Sequence, residues 1–509
     1  MNTAESLSNG ISLLQLIDGL CQMPEQLRPG LKIGVNGLSI DSRELRAGNL
    51  FLACFGRNHD ARDYIADALE AGASAVLAES GGAWQGIRMQ QGVPIVAIDN
   101  LAGRCSEIAS RFYQCPSESL TVIGITGTNG KTSCCQFIAQ LFSTFGLRCG
   151  VMGTLGYGIP GDYQETELTT PDAVFTQMAL SRMQQQNIEP VAMEVSSVGM
   201  HQNRVAAVRF DTAVFTNLTR DHLDYHESME AYAESKRKLF TMPDLKSAVI
   251  NLDDPRALSI INAIGSGVEV LTYSTHNPLA TVHAEDYELS RDGFTARINS
   301  PIGSGNIQGQ LLGCFNLSNM LAAAACALTY LPGHQQFSID ELCANLSTLK
   351  PVTGRMEIVA AEDGLTTVVD YAHTPDGLRS ALAALRDHFE GKIWCVFGCG
   401  GNRDKGKRSL MGEIAEQMAD RLILTDDNPR HEQGDEIISH ILSGIKKPTA
   451  VYTERNRAQA INMAVNQAQV GDVVLIAGKG HETYQETDGT RHLFSDTSHV
   501  RLAMKARNN

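Results

Sequence analysis

Gly127 and Gly130, followed by Lys131 and Thr132 in GITGTNGKTS (residues 124–133), are residue types that handle phosphate. Glycine lets backbone N–H groups approach phosphate oxygens, a lysine reaches the β/γ oxygens, and a threonine hydroxyl ligates Mg²⁺. The stretch departs from G-x-x-x-x-G-K-[ST], because Ile125 stands five positions before Gly130. It follows an apolar run and opens a helix-period segment, so it reads as a nucleoside triphosphate site rather than a glycine-rich turn with an incidental lysine. A second stretch, LILTDDNPRHE (422–432), leaves an apolar run by way of Asp426, Asp427, Asn428, Pro429 and Arg430. Pro429 forces a turn there, but a turn has no need of an arginine, whose fork matches a carboxylate.

The elements that must position these loops are short apolar runs. TVIGITG, PVAMEVSS, TAVFTNL, SAVINLDD, TTVVDYAH, KIWCVFGCGG, RLILTDDN and DVVLIAGKGHE recur along the chain, and several end in glycine, acid or asparagine clusters. Amphipathic segments such as KTSCCQFIAQLFSTFG and LMGEIAEQMAD lie between them, which predicts α/β architecture with mostly parallel sheets covered on both faces. Ligands in such sheets bind beyond the carboxyl ends of the strands. Breaks at CPSES (115–119) and LKPVTGRME (349–357) divide the 509 residues into three expected domains, 1–116, 117–352 and 353–509. A net charge of −15 argues against an electrostatic nucleic-acid or membrane footprint. No segment is expected to span a membrane, and twelve scattered cysteines without C-x-x-C suit reduced thiols in the cytoplasm.

In MEAYAESKRKLF (229–240), Met229, Tyr232, Ala233, Leu239 and Phe240 share one helix face. Lys236 falls on that face and Lys238 off it. An inward lysine ordinarily snorkels or pairs with an acid. The loop GCGGNRDKGKRSLM (398–411) lacks G-x-G-x-x-G, because position 403 is arginine. Its cations Lys405, Lys407 and Arg408 read as a solvated face.

Taken in order, GTNGKT (127–132), EVSS (194–197), TNLTRDHLDYH (216–226), FNLSN (315–319), GRME (354–357), DYAHTPD (370–376) and DNPR (427–430) resemble the motifs of the Mur ligases. These cytoplasmic enzymes build the peptide of bacterial cell wall. The resemblance covers nearly the whole chain and implies an N-terminal uridine-nucleotide-sugar domain, a central phosphate-loop ATPase domain and a C-terminal Rossmann-like domain. It implies an ATP- and Mg²⁺-dependent ligase that adds meso-diaminopimelate to the D-glutamate of UDP-N-acetylmuramoyl-L-alanyl-D-glutamate through an acyl phosphate, acting as a monomer without nucleic acid.

Residue by residue, the resemblance implies that Gly127, Thr128, Asn129, Gly130, Lys131, Thr132, Asn316, Arg355 and Asp370 contact ATP. Thr132, Glu194 and His222 would be Mg²⁺ ligands. Lys236 would be carbamylated by CO₂, becoming an anion that binds a second Mg²⁺; desolvation favours the neutral amine this needs, which selects Lys236 over Lys238. SIDSRE (39–44) implies a uridine site with Ile40, Ser42 and Arg43. Thr169, Thr170, Ser196, Gln202 and Arg204 would hold the peptide end, while Val198 stands where many relatives have histidine. Arg403, Asp427, Asn428, Pro429, Arg430, Gly478 and Glu482 would form the amino-acid site, with Arg430 and Arg403 on the carboxylate that distinguishes diaminopimelate from lysine and Glu482 on the distal ammonium. The alternatives are a lysine-adding ligase, a folate-glutamate ligase, or a phosphate-loop switch whose nucleotide drives motion without ligation.

Overall fold

Side-chain alternation dictates the layers of the C-terminal sheet. In the strand Val473–Ala477, Val473, Leu475 and Ala477 pack on one side with Leu378, Leu382, Met411, Ile414 and Ile441. Val474 and Ile476 pack on the other with Ile461, Val465, Val500 and Met504. Both faces are apolar because helices cover both. The computed structural model describes residues 11–56, 59–362 and 364–507. The C-terminal sheet runs Glu357–Glu362, Leu365–Asp370, Val473–Ala477, Ile393–Phe397, Arg421–Leu424, Tyr452–Thr453. All its pairs are parallel except the first. Parallel strands end on one side, so the loops after Asp370, Phe397, Leu424 and Ala477 emerge along one edge.

The chain divides into two compact units. The first comprises Met1–Gly124, Leu147–Ala213 and Glu234–Lys246; the second comprises Ile125–Gly146, Val214–Ala233 and Ser247–Asn509. In the first, five strands run in the order Gly37–Ser39, Asn49–Ala53, Ala75–Glu79, Val93–Ile98, Ile87–Gln90, with only the last pair antiparallel. Leu50, Leu52, Leu77 and Val96 bury one face against Ile108 and Phe112 of the helix Leu101–Phe112. Phe51, Val76 and Ile95 bury the other against Ile65 and Leu69. Further strands in this unit include Gly150–Gly153, parallel to Val191–Glu194.

In the second unit Ser247–Asn251, Glu269–Ser274 and Val282–Ser290 pair in parallel. Gly293–Ser300 and Gly303–Gly309 then continue as an antiparallel meander. The meander has alternating polar positions, so it presents no continuous apolar run in the sequence. The expectation of no membrane-length segment needs correction: Cys314–Gly333 is long and apolar enough to cross a membrane, by length and composition alone. Its window is 72% buried within the protein, as a core helix requires.

Candidate active site

The strand Val122–Thr126 runs into the glycine loop, and the helix Lys131–Thr144 starts directly after it, with Gly130 as a left-handed N-cap. Among the described residues no side chain caps this N-terminus, so its first N–H groups and its dipole suit an anion. A Cβ at Gly127 would lie 1.8 Å from Thr216 Oγ1, which only glycine avoids. The Thr216 hydroxyl donates to Asn129 O at 2.6 Å, and Asn217 Oδ1 accepts from Asn129 N at 2.9 Å. Thr128 Oγ1 lies 3.1 Å from the buried Tyr232 hydroxyl. Lys131 Nζ donates to the carbonyls of Gly127 and Thr128 at 2.9 Å each. Asn316 is buried, and its Oδ1 accepts from Asn319 Nδ2, while a Cβ on Gly130 would lie 2.7 Å from Asn319 Oδ1. Asn316 therefore connects to the loop through Asn319, the last residue of FNLSN, which had been assigned no role.

Arg355 reaches the same loop, its Nη2 donating to Thr132 Oγ1 at 3.3 Å. Its guanidinium lies 4.2 Å from the centroid of the Tyr371 ring. Asp370 ends its strand accepting the N–H groups of Met356 and Ala372. Burial raises its carboxyl pKa, against the lowering pull of Arg355. Asn129 Nδ2 lies 3.4 Å from Asp376 Oδ2. Burial, then Lys407, pull the His373 imidazole pKa down to about 4, with Asp221 opposing. Lys407 donates to the His373 carbonyl at 2.8 Å.

The first unit assembles a different cluster around Glu194, which is buried at the end of Val191–Glu194. Its carboxylate accepts Thr154 N at 2.8 Å and Thr154 Oγ1 at 3.2 Å. Thr154 Oγ1 lies 3.0 Å from Thr169 Oγ1. Thr170 Oγ1 donates to Glu194 O and accepts Ser196 N. Ser196 Oγ caps the short helix Ser197–His201. Arg204 donates to Thr170 O at 2.7 Å and forks onto Gln202 Oε1. Thr169, Thr170, Ser196, Gln202 and Arg204 thus form one network with Glu194. Thr154, which joins them, follows an apolar strand without any motif and was missed. Lys236 is 2% exposed, whereas Lys238 is exposed, as helical spacing predicts. Ser235 Oγ donates to Ser197 O at 2.7 Å, anchoring this helix to the serine turn.

Ile40 and Ser42 follow the strand Gly37–Ser39, with Ile40 exposed and Asp41 capping the turn Ser42–Glu44. Arg43 is held on Asp41 at 2.5 Å. His222 takes a left-handed conformation, and its Nε2 lies 3.5 Å from Asp221 Oδ2. Among the described residues no group of three or more His, Cys, Asp or Glu is arranged to hold a metal. The hydroxyl of Thr132 and the carboxylate of Glu194 are hard oxygen donors of the kind Mg²⁺ takes one or two at a time, completing its shell with phosphate and water. The donor chemistry fits Mg²⁺.

The remaining loops converge at the edge of the C-terminal sheet. Asn428 Nδ2 donates to Glu482 Oε2 at 2.9 Å. Gly478 has a φ of +116° and a Cβ there would lie 2.5 Å from Asp427 Oδ2, so glycine lets these two loops approach. Arg430 donates to Gly401 O at 2.9 Å and lies 3.5 Å from Glu486. A Cβ on Gly400 would sit 2.9 Å from Arg430 Nη1 and 3.7 Å from Arg403 Cγ, so the two arginines flank that glycine. Asp426 binds Arg455 and Glu432 binds Arg408, so Glu486 is the carboxylate beside Arg430. The solvated-face expectation fails at Arg408, whose side chain is 0% exposed. It donates both terminal nitrogens to Glu432 and reaches Gly400 O, because the helix Gly406–Met418 turns it under the loop. That hydrogen bond, the largest cause, pulls the Glu432 carboxyl down to about 2.

Three models of one family match in succession: the Mur ligase family catalytic domain at 34–113, the Mur ligase middle domain at 125–327 and the Mur ligase glutamate ligase domain at 354–480. The chain belongs to the Mur ligase family, with its three-domain α/β architecture and its ATP-using ligase chemistry. A curated relative from Pseudomonas putida, UDP-N-acetylmuramoyl-L-alanyl-D-glutamate–2,6-diaminopimelate ligase, is 45% identical over 93% of this chain and 95% of its own length. A Coxiella burnetii protein of the same name is 45% identical over 92% and 96%. A solved structure of a ligase so named is 36% identical, with a TM-score of 0.68 over 98% of this chain and all of that one. A MurF ligase from Thermotoga maritima in complex with ADP, 18% identical over 92% of this chain and 97% of its own, shares the fold at a TM-score of 0.63.

Proposed function

We propose that this chain joins meso-diaminopimelate to the D-glutamate of UDP-N-acetylmuramoyl-L-alanyl-D-glutamate in the cytoplasm, at the expense of ATP. The observation that supports the choice of acceptor is that Arg430 and the stem of Arg403 both lie against Gly400, on the sheet edge whose loops also carry Glu482. Two guanidinium groups match a distal carboxylate, and a carboxylate matches a distal ammonium. Lysine brings no distal carboxylate, so Arg430 would keep only Glu486 and the arginines would gain nothing from it.

The ATP γ-phosphoryl passes to the D-glutamate γ-carboxylate, and the acceptor amine displaces phosphate from the acyl phosphate. Gly127 to Thr132, Asn316, Arg355 and Asp370 form the ATP site in this proposal. Lys131 and Arg355 place fixed positive charge beside the transferring group, where it is more effective than in water. Thr132, Glu194, His222 and carbamylated Lys236 would hold Mg²⁺, which when bound neutralises phosphate charge. Ile40 and Ser42 bind the uridine end, and Thr169, Thr170, Ser196, Gln202 and Arg204 the peptide end. The domains fall near 1–116, 117–352 and 353–509. The test is ADP release with the UDP-dipeptide and either meso-diaminopimelate or L-lysine. Faster turnover with diaminopimelate is expected; faster turnover with lysine rejects the assignment.

A further inference from the structure

Lys479 belongs to no motif residue assigned a role above, yet it is 0% exposed at the centre of the acceptor loops. A buried ammonium is costly unless each of its three hydrogens meets an electron-rich partner. Here they do: Nζ lies 2.7 Å from Glu482 Oε2, 2.9 Å from Asn428 Oδ1 and 5.6 Å from the centroid of the Tyr484 ring. The same Glu482 oxygen accepts Asn428 Nδ2, and Asn428 Oδ1 also accepts Glu486 N at 2.9 Å. Lys479, Asn428 and Glu482 therefore form a closed triangle joining the loop after Leu424 to the loop after Ala477. Both donors to Glu482 fall on Oε2, which fixes the orientation of the carboxylate.

The geometry points to Lys479 as the positioning residue that aims Glu482 at the distal ammonium of the acceptor amino acid. This rests on the proposal that these loops bind diaminopimelate. Lys479 acts through Glu482 and touches no substrate atom. Without it Glu482 and Asn428 lose a shared charge-assisted donor, and the carboxylate is free to swing to water.

The test compares wild type, K479M and K479R with two acceptors: meso-diaminopimelate, and 2-aminopimelate, which keeps the distal carboxylate but lacks the ammonium. 2-Aminopimelate is scored as acceptor or as inhibitor. In K479M, kcat/KM for meso-diaminopimelate is expected to fall about 10- to 100-fold, mostly through KM, the worth of one charge-assisted hydrogen bond. The constant for 2-aminopimelate and the KM for ATP should move less than about threefold, and K479R should recover part of the loss. An equal fall with both acceptors shows a structural role only and overturns the inference. If K479M does not fold, K479R decides: it must keep the wild-type preference for meso-diaminopimelate over 2-aminopimelate within about threefold, and its loss overturns the inference. Wild type without turnover on meso-diaminopimelate refutes the proposed function instead.

Discussion

Arg457 and Asp496 form an ion pair with both side chains 0% exposed. The guanidinium meets the carboxylate through two bonds of 2.7 Å and donates to Ala477 O at 2.9 Å. Replacing Arg457 by Met removes the cation but leaves the Asp496 carboxylate buried, which costs about 3–5 kcal/mol. With a urea m-value of about 2 kcal/mol/M for a unit of this size, the midpoint should fall by about 2 M. Trp394 reports this unfolding, because it is buried in the C-terminal sheet and bonded to Asp472. The chain has two tryptophans, so a Trp84→Phe background isolates the signal. Adding Asp496→Leu removes the stranded charge and should recover at least half of the loss, since well-packed apolar replacements of buried pairs are often near neutral. A double variant as unstable as R457M would refute the reasoning, because the cost would then lie in packing rather than in the uncompensated carboxylate.

Three further outcomes are expected. Arg430→Lys loses the fork and should lower kcat/KM for meso-diaminopimelate about 100-fold or more while narrowing its preference over lysine; an unchanged preference measured by ADP release excludes Arg430 as the selector. Lys236→Ala should lose most activity, and excess bicarbonate should not restore it; near-normal turnover rejects the carbamate. The Glu432 carboxyl, held down to about 2 chiefly by Arg408, contributes stability that is present above its unfolded value near 4.5 and lost as pH falls towards 2. Glu432→Gln should lower the urea midpoint at pH 6 and flatten its decline between about pH 4.5 and 2.5; an unaltered acid profile would contradict the pairing.

The parallel strands were legible because both faces are buried, leaving continuous apolar runs such as VVLIA at 473–477. The alternating strands of 282–309 were not, since one polar face hides them among loops. Lys236 was separable from Lys238 because helical period fixes which side faces inward. Arg408 was misjudged for a related reason: three neighbouring cations masked the one residue whose helical position carries it under the loop to Glu432. Thr154 carries no local signal, because its importance comes from Glu194, distant in sequence, and Asn319 stood within FNLSN without a role of its own until its closeness to Gly130 was seen. Lys479 was visible within AGKGHE, but its burial depends on Asn428, 51 positions away.

The central claim is that an acyl phosphate forms on the D-glutamate γ-carboxylate, and isotope transfer tests it most directly. UDP-N-acetylmuramoyl-L-alanyl-D-glutamate carrying ¹⁸O in both γ-carboxylate oxygens is incubated with the enzyme, ATP, Mg²⁺ and meso-diaminopimelate. Mass analysis of the released phosphate should find one ¹⁸O per amide formed, because the bridging oxygen leaves with phosphorus. Unlabelled phosphate, or ADP release that proceeds at full rate without the acceptor, would contradict the account.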